Sequence, residues 1–193
     1  MTSAEKLKNP EFVEISMLYR SEMQGNPDAI CQRGIYYYEG KYVEKNYETA
    51  LGYFRMAASK GSVRAHYYLG KSYENGHGVK LDIFKAHDCY RYAADGNLKE
   101  AKDVFRNKKF RYISKLLEKA EKGNADALAE KGRLLYYGKD VEQNTMLALA
   151  CLKEAADKNN LDAIKMLCNH YTYEGDRMSA QYYSMKADNI SRN

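Results

Sequence analysis

GHGVKLDIFKAHDCYRYAADG, residues 76–96, places two histidines, a cysteine and a Gly-x-Gly turn close together. Those residue types suit a metal site or a phosphate loop, yet pieces of the same wording recur along the chain. Residues 40–61 read GKYVEKNYETALGYFRMAASKG, and residues 138–159 read GKDVEQNTMLALACLKEAADKN. A pattern repeated at a fixed distance is architecture before it is chemistry.

Taking Gly25, Gly61, Gly96, Gly123 and Asn159 as first residues gives five units spaced by 36, 35, 27 and 36 positions. Four residues after the start lies Ala29, Ala65, Ala127 or Ala163, and nine after it Gly34, Gly70 or Gly132, with Cys168 in the fifth unit. Small residues at helical spacing let two helix backbones approach closely. Turn glycines follow at Gly40, at Gly76 with Gly78, and at Gly138. Asn46, Asp82 and Asn144 then read as N-caps, since their side chains accept hydrogen bonds from the free amides of a new helix. The second helix of each full unit carries Ala50, Ala86 or Ala148, then Phe54, Tyr90 or Leu152, then the pairs Ala57-Ala58, Ala93-Ala94 and Ala155-Ala156. Spacings of three, four and seven put these residues on one buried face.

The opening stretch is therefore expected to be an interhelical turn and a helix. A phosphate loop needs a preceding strand, and an amphipathic helix stands there instead. His87 and Cys89, two apart on a helix, face different directions. His66 and His77 have no acid or cysteine at ligand spacing, so no metal and no cofactor is expected. His170 near Cys168 is the nearest approach to a catalytic pair, but Cys168 occupies the close-packing position, which reads as a structural thiol rather than a nucleophile.

Composition agrees with an all-helical chain of 193 residues that is 45% apolar and has two prolines. Its opening, MTSAEKLKNPEF, lacks the basic start and apolar run of a signal peptide, and no apolar run is long enough to span a membrane. Four scattered cysteines, Cys31, Cys89, Cys151 and Cys168, suit reduced thiols in a cytoplasm. The net charge of +5 is uneven: residues 1–96 carry 13 Lys and Arg against 12 Asp and Glu, and residues 97–193 carry 18 against 14. The densest run, Arg106, Lys108, Lys109, Arg111 and Lys115, reads as a solvated face.

Unit two, with Ala65, Leu69-Gly70, Tyr73, Gly76, Gly78-Val79, Asp82, Ala86, Tyr90, Ala93-Ala94 and Gly96, resembles the Sel-one-like repeat, a cousin of the tetratricopeptide repeat. Units one and four match well, each with one turn glycine lost. Unit three lacks the turn and has Phe105 where the glycine should be, and unit five shortens its loop to TYEGD. The resemblance implies an α/α superhelical solenoid of antiparallel helix pairs in one repeat domain, residues 1–193. Its parts would be a leading helix at 10–24, repeats at about 25–60, 61–95, 96–122, 123–158 and 159–188, and a polar tail, DNISRN, closing the stack. Bacterial members often staple each repeat with a cysteine pair, which the single cysteine of units one, two, four and five cannot do.

In tetratricopeptide proteins the first helix of each pair lines a concave face. That register puts residues 3, 6, 10, 13 and 14 after each start into a groove. It selects Asp28, Ile35, Tyr38, Glu39, Arg64, Tyr67, Lys71, Glu74, Lys99, Lys102, Arg106, Lys109, Arg133, Tyr136, Tyr137, Lys165, Asn169 and Tyr173, a groove mainly basic and acidic only at its N-terminal end, with Tyr37, Tyr73, Leu135 and Tyr171 left in the core. A basic groove interleaved with tyrosines suits an acidic segment of another protein, since cations pair with carboxylates and tyrosine offers rigid contact area. The expected function is a non-catalytic adaptor. An immunity protein or chaperone that occludes a toxin or effector is an alternative, and single-stranded nucleic-acid binding is a second.

Overall fold

Side-chain caps fix where the helices begin. Asn26, Asn46, Ser62, Asp82, Asn124, Asn144, Asn160 and Asp176 each accept a hydrogen bond from a backbone amide in the first turn that follows. The computed structural model describes residues 10–192, and among them eleven helices. These are α1 (Pro10–Met23), α2 (Pro27–Glu39), α3 (Tyr47–Ser59), α4 (Val63–Asn75), α5 (Ile83–Asp95), α6 (Lys99–Val104), α7 (Lys108–Glu121), α8 (Ala125–Tyr137), α9 (Thr145–Asp157), α10 (Leu161–Glu174) and α11 (Arg177–Ser191). Consecutive helices pack in pairs, α2 with α3, α4 with α5, α8 with α9 and α10 with α11, as an α/α solenoid requires. The N-terminal segment read for a signal peptide lies largely outside the described residues.

The small residues do the packing expected of them. A Cβ at Gly34 would sit 2.7 Å from the ring of Phe54, one at Gly70 2.7 Å from Tyr90, and one at Gly132 2.8 Å from Leu152. Cys168 occupies that position in the last pair, and the compensation is visible across it. Tyr171 stacks on Tyr183 as Tyr37 stacks on Tyr53, at 5.8 and 5.6 Å. The residue after Tyr53 is the fully buried Phe54, whereas the residue after Tyr183 is the exposed Ser184. A larger side chain on α10 is matched by a smaller one on α11. Of the four tyrosine-row positions read as core, Leu135 is buried, while Tyr37, Tyr73 and Tyr171 are half-buried.

Backbone conformation corrects the register of unit three. The residues that open the units are left-handed at Gly25, Gly61, Gly123 and Asn159, but in unit three the left-handed residue is Asn97, with φ 65°, while Gly96 has φ −73°. Gly96 serves packing instead, because a Cβ there would lie 2.6 Å from Val63. The start belongs at Asn97, which puts the fully buried Ala101 in line with Ala29, Ala65, Ala127 and Ala163. The shortening also differs from the expected loss of a turn: α6 itself is cut to six residues, and Phe105 follows its end with its ring 5.5 Å from His87. In unit five the loop alone is lost, between Glu174 and Arg177.

The leading helix appears where it was expected. Glu22 of α1 takes a 2.8 Å hydrogen bond from Arg33, whose guanidinium lies 4.1 Å from the Tyr19 ring, and Glu14 accepts from Tyr36 at 2.7 Å and from Tyr42 at 3.2 Å. At the other end, DNIS continues α11, a helix with no fully buried residue. The chain groups into two compact units, one ending at Asn107 and one beginning at Lys108, so their boundary falls inside the shortened repeat.

Candidate functional site

In the first unit, α2 and α4 lie side by side, joined at their starts by Ser62, which caps α4 and donates to Asp28 of α2 at 2.9 Å. In the second unit Asn160 makes the same link, capping α10 and donating to Asp126 of α8 at 2.7 Å. First helices of successive repeats therefore present adjacent faces, and their outward residues are the ones available to a ligand.

On the α2–α4 face Arg64 is exposed and donates to the amide oxygen of Gln32 at 3.0 Å. Lys71 is half-buried, with its ammonium 5.4 Å from the ring centre of Tyr38, 5.9 Å from Tyr67 and 5.3 Å from Tyr68. Three π faces around one ammonium hold it by cation–π attraction. Arg64, Tyr67 and Lys71 thus meet on one face. Two residues selected for the groove do not: Ile35 is 2% exposed and Tyr38 8% exposed, both in the core. Tyr38 lies inward because its hydroxyl reaches Nδ1 of His77 at 2.8 Å, and burial pushes its pKa up to about 12. His77 in turn stacks on Tyr47 at 4.1 Å. Tyr68 and His77 belong to this cluster and were not selected, since neither recurs at its repeat position.

In the shortened repeat the one-residue change of start moves Lys99, Lys102, Arg106 and Lys109 off the positions that selected them. All four are exposed; Lys102 donates to Asn97 at 2.8 Å and Arg106 pairs with Asp103 at 2.8 Å. In the second unit Arg133 grips Glu130 with two hydrogen bonds of 2.8 and 2.7 Å, which hold that carboxyl below its usual range. Tyr136 is half-buried, its hydroxyl 3.1 Å from Nδ1 of His170, while Tyr137, Lys165 and Asn169 are exposed.

The thiols lack the setting of nucleophiles. Burial pushes Cys31 and Cys89 up to about 11 and raises Cys151, which disfavours thiolate. Cys168 donates to the carbonyl of Ala180 at 3.5 Å while His170 is engaged by Tyr136, so the two do not form a pair. Among the described residues no three of His, Cys, Asp or Glu gather as a metal-binding group, and no helix is long and apolar enough to cross a membrane.

Comparison with known proteins accords with this architecture. The chain is 40% identical over 76 residues to mouse protein sel-1 homolog 2, covering 39% of this chain and 11% of that protein. It is 29% identical over 166 residues to an uncharacterised protein of Neisseria meningitidis serogroup B, covering 83% and 35%. The chain thus spans about a tenth to a third of the length of these relatives. Among solved structures, a protective antigen present in uropathogenic Escherichia coli strains and displaying an SLR fold matches with a TM-score of 0.45 and 20% identity, over 89% of this chain and 40% of that one. The Sel1 repeat pattern matches residues 27–62, 63–98 and 125–160, more than half of the sequence, and passes over the two shortened units. On that match, the chain belongs to the Sel1 repeat family.

Proposed function

We propose that this chain is a non-catalytic protein-interaction scaffold and that the α2–α4 face takes an acidic segment of its partner. Sel1 repeats typically serve as protein-interaction scaffolds, which supplies the general reading. The observation that carries the finer one is the pairing of charges on α4. Arg64 and Lys71, seven apart with Tyr67 between them, meet no carboxylate among the described residues: one rests on a neutral amide and the other on tyrosine rings. Two of the other cations selected from the sequence are already matched by carboxylates inside the fold, Arg106 by Asp103 and Arg133 by Glu130. A partner carboxylate would complete the charge balance that the fold leaves open, beside aromatic surface that costs little entropy to order.

The test is a pull-down from native lysate with the wild-type chain and with the double variant Arg64→Glu, Lys71→Glu, at low and moderate salt. An acidic protein retained by the first and lost by the second, with unchanged circular dichroism, supports the reading. Equal retention by both removes the α2–α4 face from consideration, and recovery of nucleic acid that washes off with salt replaces a protein partner by a polyanion.

A further inference from the structure

Helix α7 separates its residues sharply. Phe110, Ile113, Leu116 and Ala120 are buried, while Lys108, Arg111, Lys115 and Lys119 stand exposed on the opposite side. Spacings of three, four and four align these cations in one row along about 16 Å of helix. None of the four has a hydrogen-bond or ion-pair partner among the described residues. A row of like charges on one helix face is unfavourable in itself, and no acid in the first turn relieves it.

Beside the row runs a groove of about 330 Å³ between α7 and α8. Lys115 and Lys119 form one wall, Leu116 and Ala127 the floor, and Asp126 and Glu130 the other wall. The two walls differ in what they still need. Asp126 accepts from Asn160, and Glu130 accepts from Arg133 and Tyr112, so the acids are already served by the fold. The lysines are not.

We propose that this groove docks a helical segment of a partner protein, which sets one row of carboxylates along Lys108, Arg111, Lys115 and Lys119 and an apolar side chain over Leu116 and Ala127. The reading goes beyond the α2–α4 face, lies wholly within the second unit, and shares with it only the premise of a protein partner. Charge complementarity selects the occupant. A nucleic-acid strand carries charge across its width and would meet Asp126 and Glu130 as well as the lysines. A lipid surface would find only Tyr112 exposed among the large apolar residues of α7.

The experiment titrates the full-length, nitrogen-15-labelled chain with an alanine-based helical peptide bearing glutamates at the spacing of the four cations and leucines alongside. The same peptide with lysines in place of the glutamates, oligouridylate, and phosphatidylserine vesicles are titrated in parallel. Amide shifts confined to α7 and α8, seen with the glutamate peptide alone, support the proposal. So does an affinity about tenfold weaker in the Lys115→Glu, Lys119→Glu variant. No shifts with that peptide, equal shifts with the lysine peptide, or tighter binding of oligouridylate or vesicles overturns it. The variant Arg64→Glu, Lys71→Glu leaves this titration unchanged, so failure here and failure of the α2–α4 reading are told apart.

Discussion

Glu14 on α1 accepts hydrogen bonds from Tyr36 and Tyr42 and lies 3.9 Å from the Lys41 ammonium. The Tyr36 bond, then the Tyr42 bond and the Lys41 charge, hold its carboxyl below the usual carboxylate range. A carboxyl whose folded value is depressed contributes stability that is present above its unfolded value. That contribution disappears as pH falls through the folded one. Acidification is therefore expected to loosen α1 from α2 before it unfolds the repeats behind it. Protection factors of the α1 amides, exchange rates corrected for their intrinsic pH dependence, should fall in the wild type from neutral pH down through the carboxylate range and show a flatter pH dependence in Glu14→Gln. Identical profiles would mean that Glu14 does not hold α1. The readout has to be local, because Glu130 and Asp176 in the second unit are depressed as well and shift global stability in the same direction.

At the scale of the element, the repeat carried most of the fold in its wording, and its failures have physical causes. Caps and close-packing glycines were legible because each does one job that few residue types can do. The first helices end on left-handed glycines, Gly40, Gly76, Gly138 and Gly175, but the second left-handed residue of the turn is less tied to type, falling on Gly78 in unit two and on Tyr42 and Asp140 in units one and four. The left-handed residue that opens unit three falls on Asn97, where the neighbouring Gly96 invited a start one residue early. That displacement carried Lys99, Lys102, Arg106 and Lys109 into a groove list whose register they do not share. Burial of Tyr38 was not legible either, since it depends on His77 from the next repeat. The α7 cations were visible as a run, but their lack of partners required the fold. The corrected register is testable in one helix end. Asn97→Gly relieves a strained φ and should raise stability in urea by up to about 1 kcal/mol. Gly96→Ala, which forces a methyl group against Val63, should lower it by about 1–3 kcal/mol. Were Gly96 the left-handed start, Gly96→Ala would still destabilise but Asn97→Gly would lower stability instead of raising it, so the sign of Asn97→Gly decides.

For the whole molecule, the question is whether a chain of repeats unfolds as one. Repeat stability is close to a sum of intrinsic and nearest-neighbour contributions, so cooperativity weakens wherever one repeat has little to share. The shortened third repeat is such a place: α6 has six residues and buries only Ala101. The boundary between the two compact units follows it directly. Both units hold enclosed cores, Phe54, Tyr90, Ile83 and Cys31 in the first and Phe110, Leu152, Ile164 and Leu167 in the second, so the difference lies at their ends. The second unit ends on α11, which buries no residue fully and leaves Met178 80% and Met185 58% exposed, and it begins on α7, whose cations repel one another. We therefore expect residues 108–193 to unfold at lower urea than residues 10–107. Hydrogen exchange read by mass spectrometry across a urea series should show protection lost first in α7–α11 and later in α2–α5, with a biphasic circular-dichroism curve. A single transition, coincident for peptides from both units, would show instead that α6 couples them despite its length, and that one repeat domain is the unit of stability as well as of sequence.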